Sequence, residues 1–455
     1  MTALDGFLQR CREALGERYV LTDPQVTAAQ AVDWTRRWQG ATPAVVRPGH
    51  SEEVASVVAA ARAARVALVP QGGNTGLVAG AVPLDGEVVL DLRRLDELGP
   101  VEVAAAQVTV GAGVTLAALQ AHLRGTGLAF GVDLAARDTA TIGGMAATNA
   151  GGVHVLRHGP MRAQVAGLTA VLGTGVVVAA NPSGLAKDNT GYDLAGLLCG
   201  SEGTLGVVTE VRLRLVPEPA ERLVALLGFA SAGAMVDALP ALRATPGLHA
   251  LEAVPAAGLA LVAEHLGTTP PLDPPPPWAV LVEVAADRDP SPALAAVLDR
   301  LGTTVTATAV AADGPGRERL WGWRDRLTEA IATVGVAHKA DVTLPPRELA
   351  AFVDAVPALV ARVAPAARTW SFGHLGDGNV HVSVVGPSPD DPAPLDAVYE
   401  AVVAAGGSIS AEHGVGRAKR AWMARQRGPE VVEAMRAIKT ALDPDGILNP
   451  GVLLP

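Results

Sequence analysis

Short apolar runs rich in valine, leucine and alanine alternate along this chain with stretches whose apolar residues return every three or four positions, the periods of strand and helix. Residues 3–40 read as short helices and loops, with 27–34 as one helical stretch. Runs at 44–46, 66–69, 88–92, 107–110, 168–171, 176–179 and 206–215 read as strands. Between the first two, Ser51-Glu-Glu-Val opens a helix running to about residue 64, with the serine as N-cap and two acids in the first turn. Strand, helix, strand in that order begins a βαβ unit, and 116–123 predicts a further helix.

Around Pro217-Glu-Pro219 the composition changes, marking a domain boundary. Beyond it, strand-like runs at 222–229, 248–254 and 278–284 alternate with helix-like runs at 232–242 and 292–301, which suggests an antiparallel sheet with helices on one face. The run Thr268-Thr-Pro-Pro-Leu-Asp-Pro-Pro-Pro-Pro277 is a stiff, polyproline-like connector. Residues 429–442 form an amphipathic helix, followed by Asp443-Pro-Asp-Gly-Ile-Leu-Asn-Pro-Gly451. No internal repeat implies a solenoid. The fold class expected is α+β, in four parts: a helical segment over 1–40, then 41–217, 218–405 and a C-terminal segment over 406–455.

Composition narrows the function. The 455 residues suffice for two or three domains, and a hydrophobic share of 49% supports a large core. Aromatics at 3%, with a formal charge of −10 and a pI near 5.5, speak against nucleic acid as a partner. Cys11 and Cys199 lie far apart and form no CxxC pair, which fits a reducing compartment and excludes a thiolate cluster. No apolar stretch approaches the roughly eighteen residues of a membrane span, and the N-terminus lacks a signal-peptide pattern, so the expectation is a soluble cytoplasmic protein.

Three glycine-rich loops carry candidate chemistry. Pro70-Gln-Gly-Gly-Asn-Thr-Gly-Leu-Val-Ala-Gly80 follows a predicted strand, and glycines without Cβ let successive backbone N–H groups converge on an anion such as a pyrophosphate, with Asn74 and Thr75 as added donors. It is neither Gly-x-Gly-x-x-Gly opening a helix nor a Walker loop with its lysine. A tight structural turn is the plain alternative. Asp138-Thr-Ala-Thr-Ile-Gly-Gly-Met-Ala-Ala-Thr-Asn-Ala-Gly-Gly152 and Gly200-Ser-Glu-Gly-Thr-Leu-Gly206 have the same character. Together the three loops suit an extended, phosphate-bearing cofactor.

A second constellation lies nearer the C-terminus, in Phe372-Gly-His-Leu-Gly-Asp-Gly-Asn-Val-His-Val382 and Ala411-Glu-His-Gly-Val-Gly416. Gly376-Asp-Gly378-Asn is turn chemistry, Val380-His-Val-Ser-Val384 alternates like a strand, and Arg368-Thr-Trp-Ser-Phe372 can pair with it. Such a hairpin brings His374 near His381, and Glu412 would complete a two-histidine, one-carboxylate metal set with open positions. Zn²⁺ accepts it, as does Fe²⁺. His413 is left over as a candidate base.

At these residues the chain resembles the FAD-linked oxidases of the vanillyl-alcohol oxidase and p-cresol methylhydroxylase type, and within them the D-2-hydroxyacid dehydrogenases of the D-lactate, D-2-hydroxyglutarate and glycolate kind. The resemblance rests on the three loops, on Gly373-His-Leu-Gly-Asp-Gly-Asn379, Ser410-Ala-Glu-His-Gly-Val-Gly416 and Leu448-Asn-Pro-Gly451, and covers about residues 40 to 455 in the family's order. It implies a two-part FAD-binding domain over 41–217, a ferredoxin-like cap over 218–405 and a C-terminal return to the FAD domain. Noncovalent FAD is then expected on Pro70, Gly72, Gly73, Asn74, Thr75 and Gly76; on Thr141, Ile142, Gly143, Gly144, Asn149 and Gly152; and on Gly203, Gly206, Val207 and Asn449. His154 and His158 are noted as covalent attachment points in some relatives only.

The resemblance further places His374, His381 and Glu412 on the metal ligands and His413 on the base, with Arg324, Thr328 and Lys339 at substrate-binding positions. One departure is Ser383, where this branch often has asparagine, and it leaves the exact hydroxyacid open. A divalent metal, zinc by preference, is expected to lower the pKa of the substrate hydroxyl while C2 gives hydride to the flavin. Arg324 suits a bidentate carboxylate bond and Lys339 a point-charge one, so a distal carboxylate would need one of them. The expected acceptor is a soluble carrier such as an electron-transfer flavoprotein or a quinone-linked carrier, and a homodimer is compatible. Two rival readings are a non-redox transferase of the alkyl-glycerone-phosphate synthase type and an FAD-binding subunit of a multi-protein oxidase. The carboxylate at 412 and the retained metal residues weigh against them.

Overall fold

A computed structural model describes residues 2–455, and they divide into two compact units. The first takes everything up to Gly152, then His158–Glu218 and Glu412–Pro455; the second is Val153–Arg157 with Pro219–Ala411.

The first unit holds two larger sheets and a two-stranded one, in which Leu128–Ala129 pairs antiparallel with Val216–Pro217. In one of the larger two, Val20–Leu21 pairs antiparallel with Val45–Val46, which lies parallel to Val88–Asp91, itself parallel to Leu68–Gln71. The helix Ser51–Ala64 supplies the crossover, and its inward stripe of Val54, Val57, Val58 and Ala61 is fully buried. The other sheet is antiparallel, ordered Leu98–Glu102, Gln107–Gly111, Gly206–Arg214, Val165–Leu172, Val177–Ala180. Residues of both sheets share one apolar core.

The C-terminal segment closes this unit. Leu68 N donates to Ile447 O at 2.8 Å and Asn449 N to Leu68 O at 2.8 Å, so the segment pairs beside the strand that leads into the first glycine loop. Lys439 Nζ donates to Leu448 O and Thr204 O at 2.8 and 2.7 Å and pairs with Asp443, which holds the approach.

The second unit is one seven-stranded antiparallel sheet, ordered Ala307–Ala311, Glu221–Phe229, Trp278–Ala286, Leu248–Pro255, Arg368–His374, Asn379–Val385, Ala337–Thr343. Every residue from Leu223 to Phe229 is buried, so this strand reads as a continuous apolar run and not an alternating one. The helices Ala256–Leu266, Gly314–Asp325 and Leu327–Val334 pack their apolar sides on Val224, Leu226, Leu281, Trp370 and Phe372. The single helix expected over 232–242 is two, Ala232–Asp237 and Leu239–Arg243. Pro240 has no N–H to give and its ring crowds the preceding turn, so the chain restarts with the proline in its first turn.

Candidate functional site

In the first unit the three glycine loops lie against one another. A Cβ on Gly73 would overlap the Thr139 carbonyl, so the first loop can reach the second only because that position is bare. Thr141 caps the helix Ile142–Thr148, its hydroxyl accepting from Gly144 N at 3.3 Å, and Asn149 ends that helix in the left-handed region at φ 50°. The Asn149 side chain accepts from Arg162 N at 2.9 Å, while the Asn74 amide donates to Val32 O at 2.8 Å. Thr75 is half-buried beside it. Gly206 and Val207 open the strand opposite Leu172 and Val171.

Asn449 binds the first and third loops into one body. Its amide donates to Gly80 O at 2.8 Å and to Glu202 O at 2.7 Å. Its Oδ1, with Ser201 Oγ, is buried and has no partner. Unanswered polar atoms set among glycine loops fit a polar ligand seated there, as FAD would be.

The segment carrying Glu412 and His413 is anchored in the same unit by Glu202, a residue sequence reasoning assigned no role. Its two carboxylate oxygens accept from Val415 N and Gly416 N, each at 2.8 Å. Burial pushes the Glu202 carboxyl up, against the pull of those two N–H groups and the Lys419 charge. Gly416 sits at φ 55°, and a side chain there would also meet the Val78 carbonyl. A Cβ on Gly151 would overlap the Glu412 carboxylate, so that carboxylate lies over the second loop's Asn149–Gly152 end.

In the second unit, Arg368–His374 and Asn379–Val385 form a hairpin around Gly376-Asp-Gly. His374 and His381 meet edge to face with ring centroids 5.2 Å apart. Pairing with Ala337–Thr343 sets Lys339 opposite Ser383 and Asp341 opposite His381. Alternation along the strands puts Lys339, Asp341, His381, Ser383 and Phe372 on one sheet face. Burial holds the Lys339 ammonium below its ordinary value. Thr328, half-buried, sits at the start of the helix Leu327–Val334.

Arg324 closes the preceding helix, Gly314–Asp325, and is 8% exposed, so it is not on the solvated face its polar surroundings suggest. Its Nε donates to Glu252 Oε2 at 2.7 Å, and its guanidinium carbon stands 5.2 Å from the Phe372 ring centre. The other oxygen of Glu252 lies 2.6 Å from His374 Nδ1. Burial would raise the Glu252 carboxyl, but His374 and Arg324 outweigh it and hold it down to about 2. A carboxylate only accepts, so Nδ1 of His374 carries a hydrogen, and in the neutral ring that leaves the lone pair on Nε2. His381 Nδ1 stands 3.4 Å from Asp341 Oδ1, which also accepts from Asn379 Nδ2 at 2.8 Å. Two imidazoles each set beside a buried carboxylate could hold a metal, with their ring orientation fixed from behind. Glu252 and Asp341 carried no signal in the sequence: Glu252 sits inside an ordinary strand run, and the strand Ala337–Thr343 that holds Asp341 is not among the runs that read as strands.

Residues 218–453 match the family model described as "FAD linked oxidases, C-terminal domain", and residues 42–181 match "FAD binding domain". The chain belongs to the FAD-linked oxidases and is an FAD-dependent oxidoreductase of that family. Among its relatives, "D-2-hydroxyglutarate dehydrogenase, mitochondrial" of Bos taurus is 37% identical over 96% of this chain and 81% of its own length. "D-2-hydroxyglutarate dehydrogenase" of Xanthomonas citri pv. viticola is 38% identical over 95% and 93%. The solved structure of p-cresol methylhydroxylase with substrate bound superposes at a TM-score of 0.80 over 99% of this chain and 96% of that one, at 17% identity. Alkyldihydroxyacetonephosphate synthase does so at 0.75, over 98% and 84%, at 18% identity. At such identities the two structures speak to the fold alone. No helix among the described residues is long and apolar enough to cross a membrane.

Proposed function

We propose that this chain oxidises a D-2-hydroxy acid of the 2-hydroxyglutarate kind to the 2-oxo acid. The observation that carries the reading is the sheet face of the second unit, where two carboxylate-backed imidazoles share a surface with Lys339 and with Arg324 above Phe372. A dicarboxylate with a hydroxyl beside one carboxylate asks for that combination: ligands for the chelating end and a cation for the far end. The relatives named for 2-hydroxyglutarate support the same substrate class.

In this reading noncovalent FAD is held by the loops around Gly72–Gly76, Ile142–Gly144 and Gly203–Val207, and a divalent cation, preferably Zn²⁺, by His374, His381 and Glu412. When bound, FAD supplies the acceptor for the C2 hydride and the cation polarises the substrate hydroxyl. The chain's own work is to bind, orient and deprotonate. Lys339, with Arg324, takes the distal carboxylate; Thr328 adds a hydroxyl at the same helix-to-helix junction; His413 receives the hydroxyl proton, since imidazole titrates near neutrality. Ser383, shorter than asparagine, leaves more room opposite Lys339. The partner that reoxidises the flavin is inferred to be a soluble carrier such as an electron-transfer flavoprotein. Two separated, buried thiols support a reducing setting, and we infer a cytoplasmic one.

Anaerobic titration of the purified protein with D- and L-2-hydroxyglutarate, lactate, malate and glycolate, with and without prior chelator treatment, tests this. Flavin bleaching by D-2-hydroxyglutarate that chelation abolishes and Zn²⁺ restores is the expected result. Bleaching by none of these acids, with FAD bound and metal present, would refute it.

A further inference from the structure

Glu252 stands outside both groups of residues assigned so far, yet it touches one member of each. It lies mid-strand in Leu248–Pro255 with 1% exposure and pairs in register with His374 on the neighbouring strand. Its Oε1 takes the Nδ1 hydrogen of His374 at 2.6 Å, and its Oε2 takes the Nε hydrogen of Arg324 at 2.7 Å. Both oxygens are therefore engaged, one by each partner.

We infer that Glu252 is a positioning residue that sets the tautomer of His374 and the aim of Arg324 together, so that one buried carboxylate prepares both the cation-binding and the carboxylate-binding ends of the substrate site. The first half follows from proton bookkeeping. A neutral imidazole has one N–H, and an acceptor at Nδ1 keeps it there, leaving Nε2 as the ligand atom at all times instead of a fraction of the time. The second half follows from the shape of guanidinium. With Nε tied down, the planar fork can no longer swing about its stem, and its two terminal nitrogens present a fixed edge. Phe372 under the guanidinium limits the remaining tilt. Glu283 offers a built-in comparison. It is equally a buried glutamate of the same sheet, but its partners are His154, Arg222 and Trp321, none assigned to metal or substrate.

The inference rests on the metal reading above, and the test separates the two. Zn²⁺ and Co²⁺ dissociation constants are measured on FAD-loaded wild type, Glu252→Gln, Glu252→Asp and Glu283→Gln, by chelator competition and by the Co²⁺ absorption bands. Steady-state KM and kcat for D-2-hydroxyglutarate are measured alongside. The expected result is a metal affinity lowered roughly 10- to 100-fold in Glu252→Gln, as for lost carboxylate–histidine support elsewhere. KM should rise beyond what added metal restores, because Arg324 is loosened too. Flavin content should stay at the wild-type level. Glu252→Asp keeps the charge but cannot span both partners, so it should fall in the same direction, and it serves if the glutamine variant does not fold. Glu283→Gln should bind metal as wild type does. Wild-type metal affinity in both Glu252 variants, or an equal loss in Glu283→Gln, would overturn the inference while leaving the metal reading standing. Absence of stoichiometric metal binding by wild type would overturn the metal reading and the inference with it.

Discussion

The charged side chains of the proposed substrate face differ in how they are held, and that difference predicts how each responds to mutation. Arg324 is bound to Glu252 and buried, so Arg324→Ala leaves one oxygen of that buried carboxylate without its cation and should lower thermal stability as well as raise KM. Lys339 lies on a strand whose backbone does not depend on its side chain, so Lys339→Met should fold normally. Losing one charge-assisted hydrogen bond of about 1.5–3 kcal/mol should raise KM for D-2-hydroxyglutarate about 10- to 100-fold, and KM for D-lactate far less. Steady-state kinetics with the two acids checks the contrast, and equal effects on both would remove Lys339 from the distal carboxylate. His413→Ala should lower kcat by about 10²- to 10⁴-fold while FAD and metal stay bound. A variant with near-wild-type turnover would end the assignment of His413 as base.

At the level of elements, one carboxylate and one bare glycine stand where loops meet. Glu202 accepts both Val415 N and Gly416 N. In Glu202→Gln the amide nitrogen replaces one acceptor and faces an N–H it cannot take, costing about 1–3 kcal/mol. The expected outcome is a lower melting temperature with flavin dissociating more readily, read by fluorescence of released FAD. Gly73→Ala should act more directly, since its methyl meets the Thr139 carbonyl and holds the first and second loops apart; purified protein without the yellow flavin spectrum is expected. The alternating run at 380–384 and the glycine turn made the hairpin legible, because strand period and turn chemistry are local properties. Glu252 was not legible. It is 72 residues from Arg324 and 122 from His374, and its neighbours Leu251 and Ala253 read as plain strand.

On the scale of the molecule, the chain passes between its two units four times, after Gly152, Arg157, Glu218 and Ala411. The first of these is the least expected. Val153–Arg157 joins the second unit although the flanking sequence belongs to the first, and His154 Nε2 stands 3.4 Å from buried Glu283 Oε1. Burial raises the Glu283 carboxyl, but His154, Arg222 and the Trp321 N–H outweigh it and bring it to about 2. Its folded value lies below its ordinary one of 4.5, so its contribution to stability is present above that pH and is lost as pH falls through the folded value. Acid unfolding of wild type between about pH 4.5 and 2 should thus be steeper by up to about 1.4 kcal/mol per pH unit than that of Glu283→Gln. Denaturant midpoints across that range would show it, and parallel curves would assign the acid sensitivity elsewhere.

What the sequence determined by itself was whatever depends on neighbours along the chain. The strand and helix periods, the bare glycines of the three loops, the break near Pro217-Glu-Pro219 and the paired histidines of one hairpin all act within a few residues, and they specify an α+β flavoprotein of this family. The tertiary structure alone decided which carboxylates stand behind those residues. Glu202, Glu252 and Asp341 are buried charges, and a buried charge is tolerated only where folding delivers its partners. Those partners come from other strands, helices and loops, so the chemistry of these three residues exists only once the chain has folded.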